Sequence, residues 1–189
     1  MKRILTLLTL VVMMGACYIF NTNNIQAASK KTKAMNAYKE FLAAETIEWD
    51  GSEYDASELE FLTADIDGDK VPELVISYYA TEKIYTYKNN KVKHVLQGDF
   101  AIYPKEHIVT NSKLDDDGLK LDFYKITKGK AKKFAACAMY YEKGKKKFSY
   151  KINGKKVSVN KFDKKIKTTK ALKMKFYSNT AAKREKVLK

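Results

Sequence analysis

Apolar positions recur along this chain with two periods, and the switch between them divides it into elements. Between Lys30 and Ala44, the residues Ala34, Tyr38, Phe41 and Leu42 fall at helical spacing with no Pro or Gly among them, which predicts a helix with one apolar stripe. Thr46–Trp49 reads as a short strand and Asp50-Gly51-Ser52 as a turn. Ser52–Glu60 is acidic and poorly patterned, and is read as a loop. From Leu59 the pattern turns strand-like, with runs rich in β-branched and aromatic residues. Phe61–Ala64, Leu74–Tyr79, Ile84–Tyr87 and Lys91–Leu96 predict successive strands, with Asn89-Asn90 as a hairpin turn. Ile102–Val109, Leu119–Ile126, Phe134–Tyr141, Lys147–Ile152 and Lys156–Val157 continue the series. Asp117-Gly118, Lys128-Gly129-Lys130, Lys143-Gly144 and Asn153-Gly154 punctuate it; Asn-Gly is the strongest of these hairpin signals.

Towards the end the helical period returns. Ser158 or Asn160 is placed to cap a short helix with Phe162 and Ile166 on one face. Leu172, Met174 and Phe176 alternate with Lys and predict a last strand, and Asn179-Thr180 is placed to cap a helix over Ala181–Leu188. The expected fold class is mainly β, or α+β: an antiparallel meander sheet with an N-terminal helix and short C-terminal helices. Two successive meanders share a loose similarity without a clean repeat.

The first 27 residues follow another logic. Lys2 and Arg3 precede a nearly unbroken apolar run from Ile4 to Phe20, the polar Asn21-Thr22-Asn23-Asn24, and Ile25-Gln26-Ala27. That order is a secretory signal with cleavage expected after Ala27, leaving residues 28–189 as one secreted β-rich domain. Met14-Gly15-Ala16-Cys17 offers an alternative, a lipoprotein anchored at Cys17, and the apolar run approaches the length of a membrane anchor. No second apolar run follows, so no membrane span is expected in the mature chain. Beyond residue 27 only Cys137 remains, which excludes an internal disulfide and a Cys-based metal site there.

Charge is divided unevenly. Ala28–Gly118 carries 11 Lys against 18 acids, net −7, whereas Leu119–Lys189 carries 23 Lys and one Arg against 4 acids, net +20. This second half could hold polyanions by Coulomb attraction. Nucleic acid is not the expected partner: its readers lean on the guanidinium fork, and Arg184 is the one arginine beyond Arg3.

One segment carries specific chemistry. In Asp65-Ile66-Asp67-Gly68-Asp69-Lys70-Val71-Pro72-Glu73 the acids fall at positions 1, 3, 5 and 9. A hard cation takes 6–8 oxygen ligands, and a tight loop wraps one ion when alternate side chains converge on its concave side. Gly68 permits the sharp path, Val71 can offer its carbonyl, and Glu73 can chelate through both oxygens. Crowded acids repel one another without a cation, which argues against an idle acidic turn. The spacing is not that of an EF-hand, whose bidentate acid stands at position 12, here Ile76.

The segment resembles instead the calcium loops of the FG-GAP and VCBS type, which lie between β-strands; the resemblance covers Phe61 to about Val95. It implies Asp65, Asp67, Asp69 and Glu73 as side-chain ligands of Ca2+ and Val71 as the carbonyl ligand. Lys70 departs from the pattern, which has Gly there. The wider chain resembles small secreted proteins of unassigned function from gut Firmicutes, on the signal segment, the helix, the loop Asp65–Leu74, Tyr150–Ser158 and Phe176–Thr180. That likeness implies location and metal, and no activity.

Other signals are weaker. Asp115-Asp116-Asp117 point to alternating sides, His94 and His107 stand apart without metal spacing, and no nucleophile elbow, zinc-protease or phosphate-loop motif is present. The tyrosines, Tyr78-Tyr79 and Tyr140-Tyr141 among them, suit cross-strand packing better than a sugar platform. The expected function is a secreted calcium-binding protein, non-enzymatic, in which calcium is structural and the module binds an unknown extracellular partner. The alternative is binding of a cell-envelope polyanion, a wall polymer or anionic glycan, through the Lys-rich half.

Overall fold

The computed structural model describes residues 28–115, 118–142, 147–166 and 171–189. The export segment with its cleavage point after Ala27, Cys17, the Asp116-Asp117 pair and the Lys143-Gly144 turn lie outside them. Helix α1 covers residues 28–42. A small hairpin follows, β1 (Thr46–Trp49) with β2 (Ser52–Asp55), and a 3-10 turn over Ala56–Glu58. Ten strands then build one antiparallel sheet. They are β3 (Glu60–Ala64), β4 (Glu73–Tyr78), β5 (Thr81–Lys88), β6 (Lys91–Tyr103), β7 (Ile108–Asp115), β8 (Gly118–Thr127), β9 (Lys130–Glu142), β10 (Lys147–Ile152), β11 (Lys155–Val157) and β12 (Tyr177–Ser178). Helices α2 (Val159–Ile166) and α3 (Ala181–Val187) complete the fold. From β3 to β11 each strand pairs with the next, and β12 returns to pair with β3.

Turn chemistry explains this order. Asp50-Gly51, Asn89-Asn90, Lys128-Gly129 and Asn153-Gly154 all have positive φ at both residues. Two such residues form the turn whose twist matches that of the strands it joins. Consecutive strands therefore meet as neighbours, and the meander expected from sequence is the fold.

The sheet's first half is buried on both faces. Phe61, Leu74 and Ile76 meet Ala34, Tyr38 and Leu42 of α1, with Ile47, Trp49 and Leu188, in one cluster. Leu62 and Val75 point the other way and pack with Ile84, Phe100, Ile102, Val109 and Ile126, over which Leu172, Met174 and Phe176 lie. Burying this apolar surface is the dominant stabilising term. A third, smaller cluster joins Phe123, Ala135 and Cys137 to Phe162 of α2.

Three expectations are corrected. Ser52–Glu60 is no loop: it holds β2, the 3-10 turn and the start of β3. Ile102–Val109 is not one strand, because Pro104 starts a 3-10 turn after Tyr103 and His107 then takes a left-handed conformation at φ 57°. Ile102 belongs instead to β6, which runs 13 residues; it pairs with β5 up to Gly98 and with β7 from Asp99, so the two meanders are one sheet. Leu172–Phe176 forms no strand; that segment covers the sheet, with Leu172 N–H donating to Ile102 O at 2.7 Å, and the pairing begins at Tyr177. Among the described residues no helix is long and apolar enough to cross a membrane.

Candidate metal centre

The segment 65–73 joins β3 to β4. Ala64 pairs with Glu73 in the ladder, so the two ends of the loop are clamped side by side. Between them the acids organise the backbone. Asp65 accepts from Gly68 N–H through Oδ1 (2.8 Å) and from Lys70 N–H through Oδ2 (3.1 Å). Asp67 Oδ1 accepts from Asp69 N–H at 3.1 Å, and Asp69 Oδ1 from Val71 N–H at 2.8 Å. Short acidic side chains bond their own backbone two or three residues on, which is why this sequence coils tightly. The path needs positive φ at Gly68 (79°) and Lys70 (67°). For Lys70 the left-handed conformation costs about 1 kcal/mol or more, which glycine at the same place would not incur. Gly68 has a further reason: a Cβ there would stand 2.3 Å from His107 Cε1.

The loop brings three of the expected ligands together. One carboxylate oxygen from each of Asp65, Asp67 and Glu73 lies within 4.8 Å of the other two. Asp69 is not part of that group; its Oδ2 takes the Lys30 ammonium of α1 at 2.6 Å. Val71 is buried in the cluster beneath α1. Glu73 is 1 % exposed, although it carries a carboxyl group. Its Oε2 accepts from Ile66 N–H at 2.9 Å and its Oε1 from Thr86 Oγ1 at 3.4 Å. Burial, opposed in part by the Ile66 bond and reinforced by Asp67, Asp69 and Asp65, pushes the Glu73 carboxyl up to about 8.

This arrangement fits a divalent cation. Three carboxylates converge where one of them is too buried to ionise readily alone, and a positive ion there would favour all three charged forms. Each carboxylate oxygen that accepts an N–H keeps lone-pair capacity for an ion. One oxygen from each of the three carboxylates falls short of the 6–8 that a hard cation such as calcium takes, so bidentate carboxylates, main-chain carbonyls or water would complete the shell.

Several partners of the loop escaped the sequence reading, because they are distant in the chain. Asp67 Oδ2 accepts from Gly129 N–H, in the β8–β9 turn, at 3.0 Å. His107 Nδ1 meets Ile66 O at 3.1 Å, and Tyr38 Oη donates to Pro72 O at 3.1 Å. Burial, with Glu73 nearby, raises the Tyr38 hydroxyl above its ordinary value, so it remains a donor. The doublet Lys128-Gly129 carried a turn signal, but nothing local marks it or His107 as a neighbour of an acidic loop whose partners there lie 62 and 41 residues away.

Comparison of this chain with protein-family models, with curated proteins and with solved structures finds no match.

Proposed function

We propose that the loop 65–73 holds a calcium ion with a structural role, and that the protein is an exported, non-enzymatic binding module. The convergence of Asp65, Asp67 and Glu73 at the clamped end of a hairpin carries this reading. The FG-GAP-like spacing supports calcium over other cations, as does its tolerance for many oxygen ligands at flexible geometry. Positive φ at Lys70, where that loop type has Gly, supports the same likeness. In this reading Asp65, Asp67 and Glu73 hold the ion, Val71 adds its carbonyl, and Asp69 joins by releasing Lys30. The signal-like N-terminus supports export, where calcium is plentiful enough for a site of ~10⁻⁴–10⁻³ M. A non-enzymatic role is supported by Cys137, whose burial raises the thiol and blunts it as a nucleophile, and by His107, whose Nδ1 is engaged with the Ile66 carbonyl.

Thermal unfolding of the protein, expressed from its full-length chain, tests this. In EDTA and then in about 5 mM calcium, the midpoint should rise by roughly 3–8 °C, since an ion that binds only the folded state stabilises it by mass action. The Asp67→Ala variant should show no such rise. Equal midpoints with and without calcium in the unmodified protein would sink the proposal.

A further inference from the structure

Among the described residues, the second half of the sheet has one covered face and one open face. Phe123, Cys137 and Ile152, with Phe162 of α2, fill the covered face. On the other, the register sets a row of side chains across five strands. Lys113 of β7 stands opposite Lys120 of β8, Lys120 opposite Ala138 of β9, Ala138 opposite Lys151 of β10, and Lys151 opposite Lys156 of β11. Directly opposed residues share a face, so four lysines and one alanine form a single band. The alanine is in the middle. Ala136 and Ala138 make β9 a low floor, and the lysines of β8 and β10 rise on either side of it.

The space this leaves is a trough. A depression of about 300 Å³ is lined by Lys113, Lys120, Lys133, Lys151 and Asp122 over Ala136 and Ala138. A second, of about 290 Å³, shares Lys120, Ala138 and Lys151 with it and reaches Tyr140. Together they follow β9 from Ala136 to Tyr140, a run of roughly 13 Å at the rise of a strand. Two of the carboxylates on this side are already engaged: Asp122 with Lys133 at 2.7 Å and Glu142 with Lys156 at 2.8 Å. Lys113 and Lys151 make no ion pair among the described residues, and the Lys151 ammonium sits 4.7 Å over the Tyr140 ring.

We infer that this trough binds a linear anionic polysaccharide lying along β9. The methyl floor suits the C–H face of a sugar ring, and the ammonium groups on both walls meet acidic substituents at the ring's edges. Lysine is a compact, rotatable point charge, suited to such substituents without demanding one geometry. Single-stranded nucleic acid fits less well, because its binders stack bases on aromatic rings, and here the floor is alanine and the Tyr140 ring beside it lies under an ammonium. The trough shares no residue with the loop 65–73, and the inference does not rest on calcium.

The test uses the protein expressed from its full-length chain, in EDTA at about 0.1 M salt, with decameric polygalacturonate as probe and an oligothymidylate of equal charge as rival. The triple variant Lys113→Gln/Lys120→Gln/Lys151→Gln should weaken polygalacturonate binding at least tenfold. Lys161→Gln/Lys164→Gln/Lys186→Gln removes the same charge from α2 and α3 and should weaken it less than threefold. Ala138→Leu raises the floor with every charge kept, and should weaken it at least fivefold; it decides the matter if the first triple does not fold. Equal losses in the two triples, tighter binding of the oligothymidylate, an Ala138→Leu variant that binds normally, or no polygalacturonate binding would each overturn the inference.

Discussion

Glu73 is where the loop meets the core, and its chemistry sets a pH dependence. It opens β4, is almost fully buried, and has its carboxyl pushed up to about 8 from an ordinary 4.5. The folded protein thus holds this proton more tightly than the unfolded chain does, and protonation favours the fold. In EDTA the stabilising contribution should be complete below about pH 4.5 and lost as pH rises through about 8. A Glu73→Gln variant mimics the protonated form. Measured by denaturant unfolding between pH 5 and 9, the unmodified protein should lose roughly 2–4 kcal/mol relative to that variant. Parallel curves for the two proteins would show that Glu73 is not the titrating group. Glu82, also raised by burial, acts with the same sign and remains in both proteins, so it cancels in the comparison.

Among the elements, Asn179 ties the C-terminus to the rest of the molecule, beside Leu188 in the core and the β12–β3 pairing. Asn179 was expected to share in capping α3, but Thr180 alone does so, its Oγ1 accepting from Lys183 N–H at 3.3 Å. Asn179 turns inward instead. Its Nδ2 donates to Leu42 O at the end of α1 (2.8 Å) and to Ala56 O in the 3-10 turn (2.7 Å), and its Oδ1 accepts from Arg184 Nη1 at 2.9 Å. Asn179→Leu should therefore remove three hydrogen bonds at once, leaving Leu42 O with Arg184 and Ala56 O with Leu59 N–H, and lower stability by about 2–4 kcal/mol, read as a shift in the urea midpoint. A shift below about 0.5 kcal/mol would mean that water replaces the amide. The contrast between Thr180 and Asn179 marks what sequence could show. Caps, hairpin turns and strands rich in apolar, β-branched and aromatic residues have local signatures, and those elements were legible. β2 was not, because its residues are exposed or only half-buried and so carry no alternation. The length of β6 was hidden at Gly98, where Asn111 bridges the strand by accepting from Asp99 N–H and donating to Gln97 O. The acidic loop was legible as a motif; the diversion of Asp69 to Lys30, the His107 ring under Gly68 and the second carbonyl partner of Asn179 are long-range facts with no local trace.

At the scale of the whole molecule, the loop is also a tie between the two halves of the sheet. β3 and β8 are five strands apart in the sheet order, yet Asp67 accepts from Gly129 N–H in the β8–β9 turn. The contact is reinforced nearby: Lys88 Nζ donates to Lys128 O at 3.0 Å, and a Cβ on Gly129 would lie 2.5 Å from Thr86 Cγ2, the same threonine that donates to Glu73. The sheet must curl for these ends to meet, and the cluster that joins Leu62 and Val75 to Ile102, Val109 and Ile126 fills the inside of that curl. A perturbation of the loop should therefore be felt at residues 127–130, more than 50 positions away, before it is felt at β10 and β11. Hydrogen exchange reads this directly, since it reports local opening segment by segment. In EDTA, Asp67→Ala should speed exchange at Gly129 and its turn at least tenfold, with β10 and β11 unchanged. Exchange at the turn equal to that of the unmodified protein would mean that the curl is held by the apolar cluster alone, and that the acidic loop organises only its own hairpin.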